Sequence, residues 1–139
     1  MEIRFVQSQD RTLWFQLDRH LPADGFLEKV RTQTGYVLMD QGRLLGLLRY
    51  NLFWDSIPFC TLLYIAPDRQ GQGLGRQLME HWHRQMQAQG HRLVLTSTQV
   101  DEEAQHFYRK LGYRDCGGLL LDTTSCRQNM ELFLLKELP

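Results

Sequence analysis

One segment constrains the chain more than any other. An apolar run, Phe59–Ile65, breaks at Pro67-Asp68 and enters Arg69-Gln70-Gly71-Gln72-Gly73-Leu74-Gly75, after which helical periodicity begins. Three glycines at alternate positions leave a backbone with almost no side-chain bulk, and the following helix turns its first amide hydrogens back into that turn. Unpaired N–H groups, the positive end of a helix dipole and room for close approach together make a pyrophosphate site. Such a site predicts an enzyme that uses a phosphate-bearing cofactor. Two common phosphate motifs do not fit. A P-loop ends in Gly-Lys-Ser/Thr, whereas Gly75 is followed by Arg76-Gln77. A dinucleotide fingerprint counted from Gly71 and Gly73 needs a third glycine where Arg76 stands.

Around this turn the periodicities read as an α/β chain. Residues 2–6 alternate and predict a strand with Ile3 and Phe5 on one face. Asp10 is placed to cap a helix running to about His20, with Leu13, Trp14 and Leu17 inward. A second helix is predicted over 24–33, with Phe26, Leu27 and Val30 inward and Gly35 ending it. Tyr36–Asp40 and Arg43–Leu52 read as a hairpin around Gln41-Gly42. Asp55–Pro58 reads as a loop, and Phe59–Ile65 as a central strand buried on both faces. Leu74, Leu78, Trp82 and Met86 stand at i, i+4 spacing on a helix that stops at Gly90. A strand over Arg92–Thr98 follows. A helix over Glu102–Leu111 then carries Ala104, Phe107, Tyr108 and Leu111 on one stripe. Tyr113–Leu121 and Met130–Leu135 close the chain as strands around a polar loop, Asp122–Asn129. Strand–helix–strand crossovers imply parallel neighbours and hairpins imply antiparallel ones, so the expectation is a mixed sheet with helices on both faces.

At 139 residues the chain fits one domain over 1–139. The 16 basic and 16 acidic residues balance, which argues against a nucleic-acid footprint. No apolar run approaches the ~20 residues of a membrane helix, and the N-terminus has no apolar targeting core, so a soluble cytoplasmic protein is expected. Cys60, Cys116 and Cys126 form no CxxC pair and read as reduced thiols. His81 and His83 are two apart on a helix and point to different faces, so no metal is assigned.

The spacing Gln70, Gly73, Gly75 meets the pattern Gln/Arg-x-x-Gly-x-Gly/Ala and resembles the pyrophosphate-binding segment of the GNAT (Gcn5-related N-acetyltransferase) superfamily. A second segment, "DEEAQHFYRKLGY" over 101–113, is similar to that family's Asn-x-x-Ala-x-x-Phe-Tyr-x-x-x-Gly-Phe/Tyr helix. The segments "WDSIPF", "TSTQ" and "AQHFYRKLGY" further resemble compact bacterial members. The resemblance implies the GNAT fold: a mixed, mostly antiparallel sheet of about seven strands, with a central parallel pair that splays apart. It also implies acetyl transfer from acetyl-CoA to an amine by direct attack, without a metal or a covalent enzyme intermediate.

By the same resemblance, coenzyme A is held by Leu63 and Ile65, by the stretch Gln70, Gly71, Gln72, Gly73, Leu74 and Gly75, and by Thr98, Asp101 and Tyr108. The Ile65 N–H is the implied oxyanion donor. Tyr108 is implied beside the coenzyme sulfur, where a phenol (pKa about 10) can protonate a departing thiolate (about 8.5). Asp101 departs from the family's asparagine, accepts but cannot donate hydrogen bonds, and reads as a helix cap ahead of a cofactor contact. On the acceptor side, Asp55 reads as a group that holds or deprotonates an ammonium, with Trp54 as an apolar or cation–π wall. A base relayed by water is an equal alternative. Ser97 and Gln99, with Thr96 and Thr98, stand at a strand's C-terminal end, where ligands bind in open α/β sheets. Arg76, Arg109 and Lys110 are candidates for the 3′-phosphate, without a choice among them. The expected partner is a small-molecule amine or amino acid, with neither nucleic acid nor membrane, and a homodimer is compatible with the resemblance. The alternatives are an acyl-CoA sensor or scaffold without turnover, and a protein N-acetyltransferase.

Overall fold

The chain runs β1 (Glu2–Phe5), α1 (Arg11–Leu17), α2 (Ala23–Thr32), β2 (Gly35–Asp40), β3 (Arg43–Phe53), β4 (Ile57–Ile65), α3 (Leu74–Ala88), β5 (Leu93–Gln99), α4 (Ala104–Lys110), β6 (Arg114–Leu119) and β7 (Glu131–Glu137). These elements belong to a computed structural model that describes residues 1–139. The seven strands form one sheet in the order β1-β2-β3-β4-β5-β7-β6. Antiparallel ladders join β1 to β2, β2 to β3, β5 to β7 and β6 to β7. The β4–β5 ladder is parallel and joins Phe59 to Leu95 and Cys60 to Thr96. This is the mixed α/β sheet that the periodicities predict. The chain divides into two compact units, residues 1–51 with 61–85 and residues 52–60 with 86–139.

In the first unit, helices cover both faces of the strands. Val6, Trp14, Phe26, Val37, Leu44 and Leu47 form a core between α1, α2 and one face of β2 and β3. On the other face the rings of Tyr50 and Trp82 lie 5.6 Å apart, and those of Tyr36 and His81 5.2 Å apart, so α3 packs there. The α3 stripe is buried as its spacing requires: Leu74, Leu78 and Trp82 are core residues here, and Met86, in the second unit, is buried too. The Gln41-Gly42 hairpin forms with positive φ at both residues, 49° and 78°, which is the mirror-image turn that suits twisted strands.

The boundaries of the first unit depart from the periodicity in places. Asp10 precedes α1 but does not cap it with its side chain. Its carboxylate instead accepts from the Gln7 N–H (2.7 Å) and from Arg4 (2.8 and 2.9 Å). The helix stops at Leu17 rather than His20, because Asp18 turns inward to Arg49 and Trp14. Gln33, with φ 56°, ends α2, while Gly35 opens β2, where a Cβ would come within 3.0 Å of Val6. Leu27 is exposed rather than inward. The expected 55–58 loop shrinks to a tight turn, so β4 starts at Ile57 and takes in Pro58, tolerated near a strand's start. Beyond Cys60, β4 is half-buried instead of buried on both faces. Leu62 and Tyr64 line a cavity of about 240 Å³ with Leu17, Arg19 and His20, which leaves that side of the strand open.

In the second unit, β5 and β7 are in register from Leu93↔Glu137 to Gln99↔Glu131. Alternation sends Val94, Thr96, Thr98, Leu132 and Leu134 to one face, which is buried. The Tyr108 side chain of α4 reaches Thr96 on that face. Leu95, Ser97, Phe133 and Glu131 stand on the other face. β6 lies at the sheet edge and is exposed along its length. No helix is long and apolar enough to cross a membrane.

Candidate functional site

The glycine turn has the form that the sequence predicts. Gly71 and Gly73 sit at φ 77° and 81°, in the left-handed region that favours glycine, and open space surrounds the place where each Cβ would be. The first bond of α3 runs from the Gln77 N–H to the Gly73 carbonyl (3.1 Å), so the amides before Gln77 point out of the helix end. Arg69 adds a buried Nε without a hydrogen-bond partner at the head of this turn. Open backbone and outward amides fit a diphosphate. The Leu74 side chain is core, so only its amide is available. Gly75 lies within the first turn of α3. The Arg76 guanidinium is engaged by Glu80 at 2.7 Å.

Gln70 has a role that spacing alone does not reveal. Its Nε2 donates to the Ile65 carbonyl at 3.0 Å, tying the turn to the end of β4. The Ala66 N–H donates to Leu45 of β3 at 2.8 Å. Successive backbone groups on a strand alternate sides, so the Ile65 N–H faces away from β3. The Leu63 backbone shares that orientation by the same alternation.

In the second unit, Tyr108 is nearly fully buried, between Phe107 and Tyr113 with ring centroids 5.3 and 5.6 Å away. Its hydroxyl lies near Thr96, whose Oγ1 donates to the Cys60 carbonyl at 3.2 Å. The phenol is thus brought to the Cys60↔Thr96 pair, where β4 and β5 meet. Burial, with the Cys60 thiol beside it, pushes its pKa far above the ordinary phenol value despite the nearby Thr96 hydroxyl, so it keeps its proton. Thr98 is buried on the same face. Asp101 does not cap α4: Glu103 occupies the N-cap position, and Gln105 Nε2 closes the turn onto the Val100 and Glu102 carbonyls. The Arg109 guanidinium pairs with Asp115 at 3.0 Å.

Trp54 and Asp55 are the two central residues of the β3–β4 turn, both with positive φ, 54° and 61°. The Ser56 N–H closes the turn onto the Phe53 carbonyl at 3.2 Å. A tryptophan in this region is a genuine outlier, and strain of this kind clusters at functional sites. Its ring is 78% exposed and rests on Phe53, with centroids 4.9 Å apart. Ser97 and Gln99 lie on the half-exposed sheet face. Ser97 Oγ donates to Glu131 Oε2 at 2.7 Å, and Gln128 Nε2 donates to Oε1 at 2.9 Å. The Gln99 N–H goes to Glu102 at 3.2 Å.

Sequence reasoning did not single out Glu131, Asp18 or Arg49. Glu131 alternates with Phe133 on a strand, a charge at an apolar-phase position that could have been noticed. Asp18 is fully buried and meets Arg49 at 2.8 Å and Trp14 Nε1 at 3.1 Å. It also accepts from the His20 and Leu21 N–H groups. Nothing local in the sequence foretells that pairing.

Comparison with known proteins bears on the fold and the family. The model of the acetyltransferase (GNAT) domain matches residues 31–115. Ard1 from Thermoplasma volcanium superposes with a TM-score of 0.87 at 16% identity, covering 99% of this chain and 97% of that one. The ribosomal-protein-S18-alanine N-acetyltransferase from Escherichia coli gives 0.76 at 18% identity, over 99% and 93% of the two chains. N-acetylglutamate synthase from Neisseria gonorrhoeae, solved with coenzyme A and N-acetyl-glutamate, gives 0.77 at 17% identity, over 99% of this chain and 35% of that one. No curated protein sequence matches the chain.

Proposed function

The chain belongs to the GNAT acetyltransferase family, and from that premise we propose that it moves the acetyl group of acetyl-CoA to the primary amine of a small molecule or amino acid. The observation that carries this reading is the turn into α3. Open, left-handed glycines and outward amides form a cradle for a diphosphate. Acetyl-CoA supplies the acyl group already activated as a thioester. The amides around Gly71 to Gly75 hold the pyrophosphate, with Arg69 adding charge. The Ile65 N–H polarises the thioester oxygen, and Gln70 keeps the end of β4 in place for it. Tyr108 donates a hydrogen bond to the departing sulfur. Trp54 and Asp55 contact the acceptor, which attacks as the neutral amine.

The experiment is a coenzyme A titration of the wild-type chain and of Gly73→Val, with coenzyme A release measured over a panel of amines, amino acids and peptide N-termini. A valine at φ 81° is strained and places a branched side chain where phosphate must approach. Affinity should fall at least tenfold with the fold retained. Unchanged affinity in a folded variant removes the turn from the site. Acetyl-CoA binding without turnover on any acceptor favours a sensor, and turnover on peptides alone favours a protein acetyltransferase.

A further inference from the structure

The half-exposed sheet face of the second unit combines an apolar floor with one carboxylate. Leu95 pairs with Phe59 on one side and Leu135 on the other, and Ser97 pairs with Phe133, so these side chains share a face. The rings of Phe59 and Phe133 meet edge to face with centroids 5.6 Å apart, and Phe53 stacks on Phe59 at 6.2 Å. Glu131 stands two residues before Phe133 on that face.

Each Glu131 oxygen accepts one hydrogen bond, from Ser97 and from Gln128. Both donors are neutral, so the charge is aimed but not cancelled. An ionised carboxylate offers about four lone-pair directions, which leaves room for further donors. A fixed anion at the margin of aromatic rings is complementary to a cation attached to an apolar body, and it repels an acceptor that carries its own carboxylate.

We infer that this face is the acceptor subsite, that its occupant is an apolar primary amine without a carboxylate, and that Glu131 receives the ammonium. The inference rests on the acetyl-transfer reading and narrows its acceptor class. It makes Glu131 a specificity-determining residue, with Ser97 and Gln128 orienting its oxygens.

The test is calorimetric titration with 2-phenylethylamine and with 3-phenylpropionate, which has a similar body and the opposite charge. The wild-type chain should favour the amine at least tenfold. Glu131→Gln should weaken the amine about tenfold, which corresponds to about 1.4 kcal/mol, and leave the acid no weaker. Ser97→Ala, which keeps the charge, should retain the preference for the amine, and Phe133→Ala should weaken both ligands. If Glu131→Gln lowers thermal stability too far for titration, Glu131→Asp serves, with an intermediate preference expected. Equal amine affinity in the wild type and Glu131→Gln, or a wild type without preference, overturns the inference. Acetyl-CoA is titrated in parallel. Its binding should survive Glu131→Gln. A wild type that binds the amine through Glu131 but does not bind acetyl-CoA would retire the acetyl-transfer reading and keep the subsite.

Discussion

Tyr108 shows how a single side chain can serve packing and chemistry together. Any aromatic would satisfy its helix stripe, but only tyrosine sets a hydroxyl near Thr96, at the Cys60↔Thr96 pair. Tyr108→Phe keeps ring and volume and removes only the O–H. Acetyl transfer is expected to fall by about 10²-fold or somewhat less, measured as kcat/KM with a working acceptor. The effect stays modest because burial raises the phenol's pKa and makes full proton transfer to sulfur less favourable. Stability in denaturant titration should change by less than about 1 kcal/mol. The Trp54-Asp55 turn makes the opposite trade. Both residues hold positive φ, whereas Asn-Gly is the sequence such a turn prefers. The double substitution Trp54→Asn with Asp55→Gly should raise stability by about 1 kcal/mol and impair acceptor turnover while acetyl-CoA binding holds. Asp55→Asn alone should weaken acceptor use, and unchanged acceptor kinetics would hand the proton to a water relay.

At the scale of elements, the segment after α1 depends on one buried ion pair. Asp18 gathers Arg49 of β3, Trp14 of α1 and the backbone of residues 20 and 21, and Arg49 continues to the Thr61 hydroxyl of β4 at 3.1 Å. This fixes the chain that lines the cavity with Leu62 and Tyr64. Arg49→Met leaves a buried carboxylate without its partner and should cost about 3–5 kcal/mol by thermal or chemical unfolding. Adding Asp18→Asn to that variant should recover much of the loss, because the stranded charge is then gone. Equal instability in the single and double variants would mean that Arg49 acts through packing of its stem instead.

For the whole molecule, two buried aspartates tie stability to acid pH. Burial raises the carboxyl pKa of Asp18, but Arg49 and the backbone donors outweigh it and hold it below the usual range. Asp10 behaves alike, with Arg4 and the Gln7 N–H outweighing burial. Both carboxyls sit near 3.9 in the unfolded chain. Their contribution is therefore present above about pH 4 and lost as pH falls through the lower folded values. Urea midpoints should be flat near neutrality and decline below about pH 4, and Arg49→Met should flatten the part of that decline due to Asp18. The sequence by itself determined the order of elements, the buried stripe of α3, the glycine turn before it and the tyrosine of α4. Each of these depends on local periodicity, on backbone freedom at glycine, or on a motif contained in one segment. Only the tertiary structure decided the rest: which helix ends early because Asp18 turns inward, that Gln70 braces Ile65, that Glu103 rather than Asp101 stands at the N-cap position of α4, and that Ser97 and Gln128 hold the Glu131 carboxylate. Those features join residues far apart in the chain, and strand register and side-chain hydrogen bonds between elements leave no periodic trace in a sequence.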